Sequence, residues 1–252
     1  EGMRQLLATD TLVAGAHFIM RDPPARVGWK AMAVNISDIA AMGGVPRHAV
    51  LSLALPPETP TAYVRSLMAG IRRAADAFGI AVVGGDTVGC PVLVITVAMT
   101  GCAMPGDICC RHGVTPGAVI AVTGPLGGSL RSGRHLSFTP RLAEAQWLVR
   151  HAKPAAMMDL SDGIAADGTR MAMASGVRID LHAASLPRAP GCSVRAALCD
   201  GEDFELLCAF APGVLTPRSM RAYAARFSQP LVIVGTAHAG SPGITVDGVA
   251  TP

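Results

Sequence analysis

Apolar residues along the 252-residue chain fall into runs that alternate between strand-like and helix-like spacing. Residues 5–13 read as a strand interrupted by Thr9 and Asp10, and Gly15 and His17 follow in a loop. Pro23 and Pro24 suit a helix start, and the helix runs to about Met42, where Gly43 and Gly44 stop it. Residues 47–55, bounded by Pro46 and Pro56, read as a strand. Residues 60–78 place Tyr63, Leu67, Ile71, Ala74 and Phe78 on one stripe, with Arg65, Arg72 and Arg73 elsewhere, which predicts an amphipathic helix packed on a core. Residues 80–89 run as a buried strand into Gly84-Gly85-Asp86, and 91–101 form a further strand. A boundary falls near residues 104–106. Beyond it come strands at 118–123, 155–159, from Val177, at 204–210 and at 231–235. Helices are expected at 139–151, with Pro140 in the first turn, at 161–175, capped by Ser161 or Asp162 and ended by Gly176, and at 217–227. Residues 247–252 look loose. The alternation predicts an α/β (α+β) fold in two related halves, residues 1–105 and 106–252.

Within the first predicted helix, Ala33-Val-Asn-Ile-Ser-Asp-Ile-Ala-Ala-Met-Gly-Gly44 has the composition of a buried segment. Asn35, Asp38 and Met42 share a face at helical spacing. A carboxylate in such surroundings is costly unless a cation, a metal or several donors meet it. The pattern returns in Asp159-Leu-Ser-Asp-Gly-Ile-Ala-Ala-Asp167. Two related halves, each placing an Asp at the start of a small-residue helix, account for both copies.

Composition narrows the function. Hydrophobic residues make up 50% and charged ones only 15%, so acids inside apolar text stand out. The net charge of +3 is dispersed, without a basic run or aromatic interleaving, which argues against nucleic acid. The seven Cys form no Cys-x-x-Cys and read as reduced thiols. No apolar run has transmembrane length and no signal pattern opens the chain, so no membrane partner and a cytoplasmic location are expected.

Asp10, Asp38, Asp86, Asp159 and Asp162 punctuate apolar elements, and none is followed by a helical Lys partner. Carboxylates from several elements, without His or Cys at ligand spacing, favour a hard cation such as Mg²⁺. Gly-rich turns at 84–86 and 124–129 add a pointer to a nucleoside triphosphate, although neither a P-loop nor a dinucleotide fingerprint is present. No Ser-His-Asp or Cys-His set stands out.

Five stretches resemble one family: Thr9-Asp10-Thr-Leu-Val-Ala-Gly-Ala-His17-Phe18, Ala33 to Gly43, Gly84-Gly-Asp-Thr87, Asp159-Leu-Ser-Asp-Gly163 and Gly201-Glu-Asp-Phe-Glu-Leu206. In this order and spacing they are similar to thiamine-monophosphate kinases, within the wider aminoimidazole-ribotide-synthetase superfamily. The resemblance implies a homodimer formed through the N-terminal halves, an ATP site across the halves, and ATP- and Mg²⁺-dependent phosphorylation of thiamine monophosphate to thiamine diphosphate. It implies that Thr9, Asp10, Asp38, Asp86 and Asp159 hold Mg²⁺, with Asp162 on a further ion. Gly85, Asp86, Arg111 and Ser161 would contact ATP, and His17 and Glu202 the acceptor. The family also carries an acidic Gly-Asp-Asp strand upstream and an aromatic-rich segment downstream that this sequence, from Glu1 to Pro252, does not include. Their absence predicts Mg-ATP binding with poor turnover. Ala8 stands where a hydroxyl residue is frequent. The rival readings are another ATP-dependent synthetase of the superfamily, separable by product analysis, and a catalytically silent nucleotide-binding dimer.

Overall fold

The computed structural model describes residues 2–250. The chain divides into two compact units. One takes in the chain up to Ala40, then Gly44–Pro105 and Leu136–Pro140; the other takes Ala41–Gly43, Gly106–His135 and the chain from Arg141 onward.

The first unit contains β1 (Arg4–Val13), α1 (Pro24–Ala41), β2 (Val45–Leu55), α2 (Thr61–Phe78), β3 (Ala81–Gly89) and β4 (Val94–Ala103). Its sheet has the order β1-β4-β2-β3, antiparallel except for the β2–β3 pair. Alternate residues are buried along β4, including Ile95, Val97 and Met99, and along β2 at Ala49, Leu51 and Leu53. That is the period-two pattern of a sheet with one covered face. The two helices pack at close range because glycines remove the side chains between them. A Cβ on Gly28 would meet the Leu67 carbonyl oxygen at 2.1 Å, and one on Gly70 the Ala25 oxygen at 2.0 Å. α1 ends at Ala41; Gly43 follows with φ +75°, and the Gly44 N–H donates to Ile39 O at 2.9 Å. The segment Leu136–Pro140 joins this unit through Trp29 Nε1, which donates to Phe138 O at 2.8 Å.

Two expectations for this unit change. Pro46 lies inside β2, not ahead of it, and is accommodated by a register shift between Pro46 and His48. The strand at 80–89 is not buried: all nine residues of β3 are exposed, because β3 is an edge strand paired only with β2. Gly84, Gly85 and Asp86 therefore lie within a strand and not in a turn.

The second unit holds β5 (Val119–Val122), α3 (Ser129–Ser132), α4 (Leu142–His151), β6 (Ala156–Asp159), α5 (Ile164–Ser175), β7 (Arg178–Leu181), α6 (Val194–Cys199), β8 (Leu206–Phe210), α7 (Pro217–Phe227), β9 (Val232–His238), β10 (Gly243–Val246) and β11 (Val249–Ala250). Its seven strands run in the order β11-β10-β7-β9-β5-β8-β6. β8 is buried at all five positions, consistent with its place between β5 and β6, and reads in sequence as an unbroken apolar run.

α5 begins three residues later than the sequence predicts. Its N-cap is Gly163, with φ +94°, and not Ser161 or Asp162. The Asp162 N–H is held from inside the helix, by Asp167 Oδ2 at 2.9 Å. α4 likewise starts at Leu142, beyond Pro140. Residues 247–250, expected to be loose, close a hairpin in which Thr245 pairs with Ala250; Thr251 and Pro252 lie outside the described residues. Among the described residues, no helix is long and apolar enough to cross a membrane.

Candidate active site

In the first unit, sheet register decides which acids meet. Asp10 pairs with Val97, Val97 with Leu51, and Leu51 with Gly85, so Asp10 and Gly85 share one row on the helix-covered face. Thr9 belongs to the neighbouring row with Ala98, Val50 and Gly84, and Asp86 to a row with Ser52, Thr96 and Thr11. Both of those rows face the other way, so Thr9 and Asp86 are not gathered with Asp10. Asp86 instead folds back on its own backbone, accepting the Thr87 N–H at 2.8 Å. Gly85 is required as glycine because a Cβ there would meet the Leu51 oxygen at 1.9 Å.

Asp38, in the last turn of α1, reaches Asp10. Burial pushes the Asp10 carboxyl up from its ordinary range, and a side-chain hydrogen bond with Asp38 and the nearby His17 pull the other way. Two carboxyl groups at hydrogen-bond distance share a proton or a cation, since two bare anions there repel strongly. One turn earlier on α1, Asn35 is fully buried; its Nδ2 donates to Ala31 O at 3.1 Å, while Oδ1 has no hydrogen-bond partner among the described residues. Oxygen donors of this kind fit a hard divalent cation. Among the described residues, no group of three or more His, Cys, Asp or Glu side chains is placed to hold a metal ion.

His17 is fixed at both ends. Its Nδ1 accepts the Val13 N–H at 3.0 Å, leaving the ring proton on Nε2, and its carbonyl oxygen accepts Lys30 Nζ at 2.9 Å. Lys30 is 0% exposed. Sequence reasoning passed it over, although it is the only charged residue between Arg26 and Asp38. A cavity of about 700 Å³ beside β3 is lined by Leu51, Leu53, Val64, Met68, Gly85 and Asp86, among others.

In the second unit, two of the sequence motifs meet. The Glu202 N–H donates to Ser161 O at 2.7 Å, the Phe204 N–H to Leu160 O at 2.8 Å, and the Leu160 N–H to Glu205 O at 2.9 Å. These bonds bring Asp159, Ser161, Asp162 and Glu202 into one neighbourhood at the end of β6. Arg111 is exposed in a segment that runs beside β6, where the Met157 N–H donates to the adjacent Cys110 O at 2.9 Å. Asp162 has a basic partner that short-range spacing does not reveal: Arg170 lies 2.7 Å away and also contacts the buried Asp167.

Behind this edge sits a buried ionic network that sequence reasoning missed. Asp203 and Glu205 are each 1% exposed. Arg134 meets Asp203 at 2.6 Å, and Arg141 grips Glu205 with two hydrogen bonds of 2.7 Å. Thr123 Oγ1 donates to Glu205 at 2.7 Å. Burial raises the Asp203 carboxyl to about 6, with the Gly127 N–H and Arg134 opposing. The Gly-rich turn at 124–128 has the shape of a phosphate cradle, but its donors are taken: the Gly127 N–H binds Asp203 and the Gly128 N–H binds Asp200 at 2.9 Å. The signal available in sequence was three acids at positions 200, 203 and 205 flanking an apolar strand.

Known proteins share this fold. Residues 1–103 match the family model described as AIR synthase related protein, N-terminal domain. The thiamine-monophosphate kinase of Rhodopirellula baltica is 36% identical over 223 residues, covering 83% of this chain and 69% of that protein. The crystal structure of the thiamine-monophosphate kinase from Stenotrophomonas maltophilia K279a superposes with a TM-score of 0.90 at 30% identity, covering 99% of this chain and 87% of that one. The structure of AaThiL complexed with AMPPCP and TMP superposes with a TM-score of 0.87, also at 30% identity, over 99% of this chain and 85% of that one. The chain belongs to the thiamine-monophosphate kinase family.

Proposed function

We propose that this kinase moves the γ-phosphoryl group of ATP onto a phosphate oxygen of thiamine monophosphate, releasing ADP and thiamine diphosphate. The observation that carries the reading is the Asp10–Asp38 carboxyl pair, half-buried beside His17 on the covered face of the first unit's sheet. Relatives named for this activity, and the neighbour holding AMPPCP and TMP, support it.

The roles follow residue by residue. In the first unit Asp10 and Asp38 would hold Mg²⁺, and in the second Asp159 and Asp162 would meet a further ion; Thr9 and Asp86, on the sheet's other face, would not share the Asp10 ion. When bound, Mg²⁺ neutralises charge on the phosphates and draws two polyanions together. Gly85, Asp86, Arg111 and Ser161 contact ATP. The cavity beside β3 offers the base an apolar wall of Leu51, Leu53, Val64 and Met68. His17 presents Nε2–H and Glu202 a carboxylate to the acceptor. The acceptor oxygen attacks the γ-phosphorus as the bond to ADP breaks, in line and without a protein nucleophile, so the residues contribute positioning and electrostatics.

The active form is a homodimer built on the first unit. β3 presents one unpaired backbone edge together with exposed Val82, Val83 and Val88, a liability that pairing with a second copy removes. The test incubates the chain with Mg-ATP and thiamine monophosphate and separates the products. Equal amounts of ADP and thiamine diphosphate are expected. ATP consumption without thiamine diphosphate overturns the reading.

A further inference from the structure

The loop that carries Glu202 holds an unusual backbone. Gly201, Glu202 and Phe204 all have positive φ, at +68°, +57° and +50°. Non-glycine residues rarely occupy this region, and two of them within three positions persist only where the surroundings enforce them. Gly201 has no freedom either, since a Cβ there would meet Ser161 O at 2.7 Å.

The enforcement comes from the residues between. Asp203 is buried and receives the Gly127 N–H on both oxygens at 3.0 Å, together with Arg134 Nη2 at 2.6 Å. Arg134 also donates to the Pro125 oxygen at 3.2 Å and to Asp203's own carbonyl at 3.4 Å, so it ties the Gly-rich turn to the loop from both sides. Gly127 accepts no substitute: its φ is +84°, and a Cβ would stand 2.8 Å from Ala196 C. A buried ion pair is weak evidence for stability, but it fixes one geometry against its alternatives.

We propose that Asp203 and Arg134 are positioning residues for the acceptor side of the site: they hold the left-handed backbone at Glu202 and so aim its carboxylate. This rests on the reading that Glu202 meets thiamine monophosphate. Neither Asp203 nor Arg134 touches the substrate; each acts through the loop.

The experiment measures steady-state kinetics of the full chain with thiamine monophosphate and ATP varied separately. The variants are Glu202→Gln, Asp203→Asn, Arg134→Lys and the Glu202→Gln/Asp203→Asn double variant, each with its melting temperature. Asp203→Asn is expected to raise the KM for thiamine monophosphate about tenfold while the KM for ATP stays within about twofold. In the Glu202→Gln background the same change is expected to add less than about twofold, because the side chain being aimed is already impaired. Arg134→Lys retains the charge without the fork and is expected to fall between parent and Asp203→Asn; it supplies the kinetic answer if Asp203→Asn does not fold. Equal rises in both KM values, or an effect of Asp203→Asn undiminished by Glu202→Gln, would show a general structural role and overturn the proposal while leaving Glu202 in place. A Glu202→Gln variant with an unchanged acceptor KM would remove Glu202 from the acceptor site, and the positioning role with it.

Discussion

Two stretches of this chain read almost alike and fold differently. Ile36-Ser-Asp-Ile-Ala-Ala41 lies inside α1, with Ile36, Ser37 and Ile39 fully buried. In Leu160-Ser-Asp-Gly-Ile-Ala-Ala166 the Ser-Asp lies in the loop between β6 and α5, and helix begins only at Ile164. The difference is one glycine. In the second copy Gly163 follows the aspartate and adopts φ +94°, a conformation closed to the Ile39 of the first. The first Ser-Asp is therefore carried on a rigid helix and pressed against β1. The second is carried on a loop, with Asp162 half out in solvent and paired to Arg170. A shared string of residues fixes neither exposure nor partner; the residue that sets the backbone decides both.

The largest effect expected from this contrast lies at Asp38. Asp38→Asn keeps the helix but removes half of the carboxyl pair with Asp10. A loss on the order of 10²–10³-fold in thiamine diphosphate formation is expected, the scale of deleting one preorganised electrostatic contact. The melting temperature is expected to stay close to that of the parent, because Asn keeps the shape of the side chain and its amide can donate the hydrogen bond to Asp10. Near-parental turnover at every Mg²⁺ concentration would take Asp38 out of the chemistry.

Breaking the contrast itself calls for Gly163→Ala. The substitution places a Cβ 2.7 Å from Leu198 O on a backbone with φ +94°. A cost of about 2–4 kcal/mol is expected, read from chemical denaturation. An alanine variant as stable as the parent would mean the loop can adopt a helical start, and the glycine would not be what separates the two copies.

Much of this was legible in the sequence. Helix-period stripes and the capping glycines placed α1 and α2 to within a residue or two, because local pattern and tertiary burial agree there. β3 was misread because an apolar run looks the same at a sheet edge as at its centre, and only pairing tells them apart. The meeting of Asp10 with Asp38 was accessible only as a resemblance, since strand register and helix placement are long-range facts. The Arg134–Asp203 and Arg141–Glu205 pairs join residues more than sixty positions apart, and nothing local announces them.

That ionic scaffold sharpens the contrast through pH. The Asp203 carboxyl is raised to about 6 in the fold, against 3.8 for the free group. Between those values the native state binds more protons than the unfolded chain, so Asp203's contribution to stability is present below about pH 4 and is lost as pH rises through about 6. The span is on the order of 2–3 kcal/mol. Denaturation of parent and Asp203→Asn across this window is expected to show the parent losing ground to the variant as pH rises. Parallel curves would mean that Asp203 titrates alike in both states.

The smallest effect is expected at Asp162, the counterpart of Asp38. Its side chain is 55% exposed and that of Arg170, its partner at 2.7 Å, is 47% exposed. Exposed ion pairs of this kind contribute about 0.2–1 kcal/mol. Asp162→Asn leaves the backbone bond from Asp162 N–H to Asp167 intact and leaves Arg170 free to serve Asp167, so α5 keeps its start. A stability change within about 0.5 kcal/mol is expected, with a turnover loss below about tenfold, because Arg170 already offsets the charge that Asn removes. Arg170→Ala runs the other way. It strips the cation from Asp167, which is 1% exposed, and costs about 1–3 kcal/mol, the penalty of an underpartnered buried acid. If Asp162→Asn instead matched Asp38→Asn in lost turnover, an exposed carboxylate would be working as hard as a half-buried one. Position relative to the helix would then not separate the two Ser-Asp segments, and their difference would lie in what each binds.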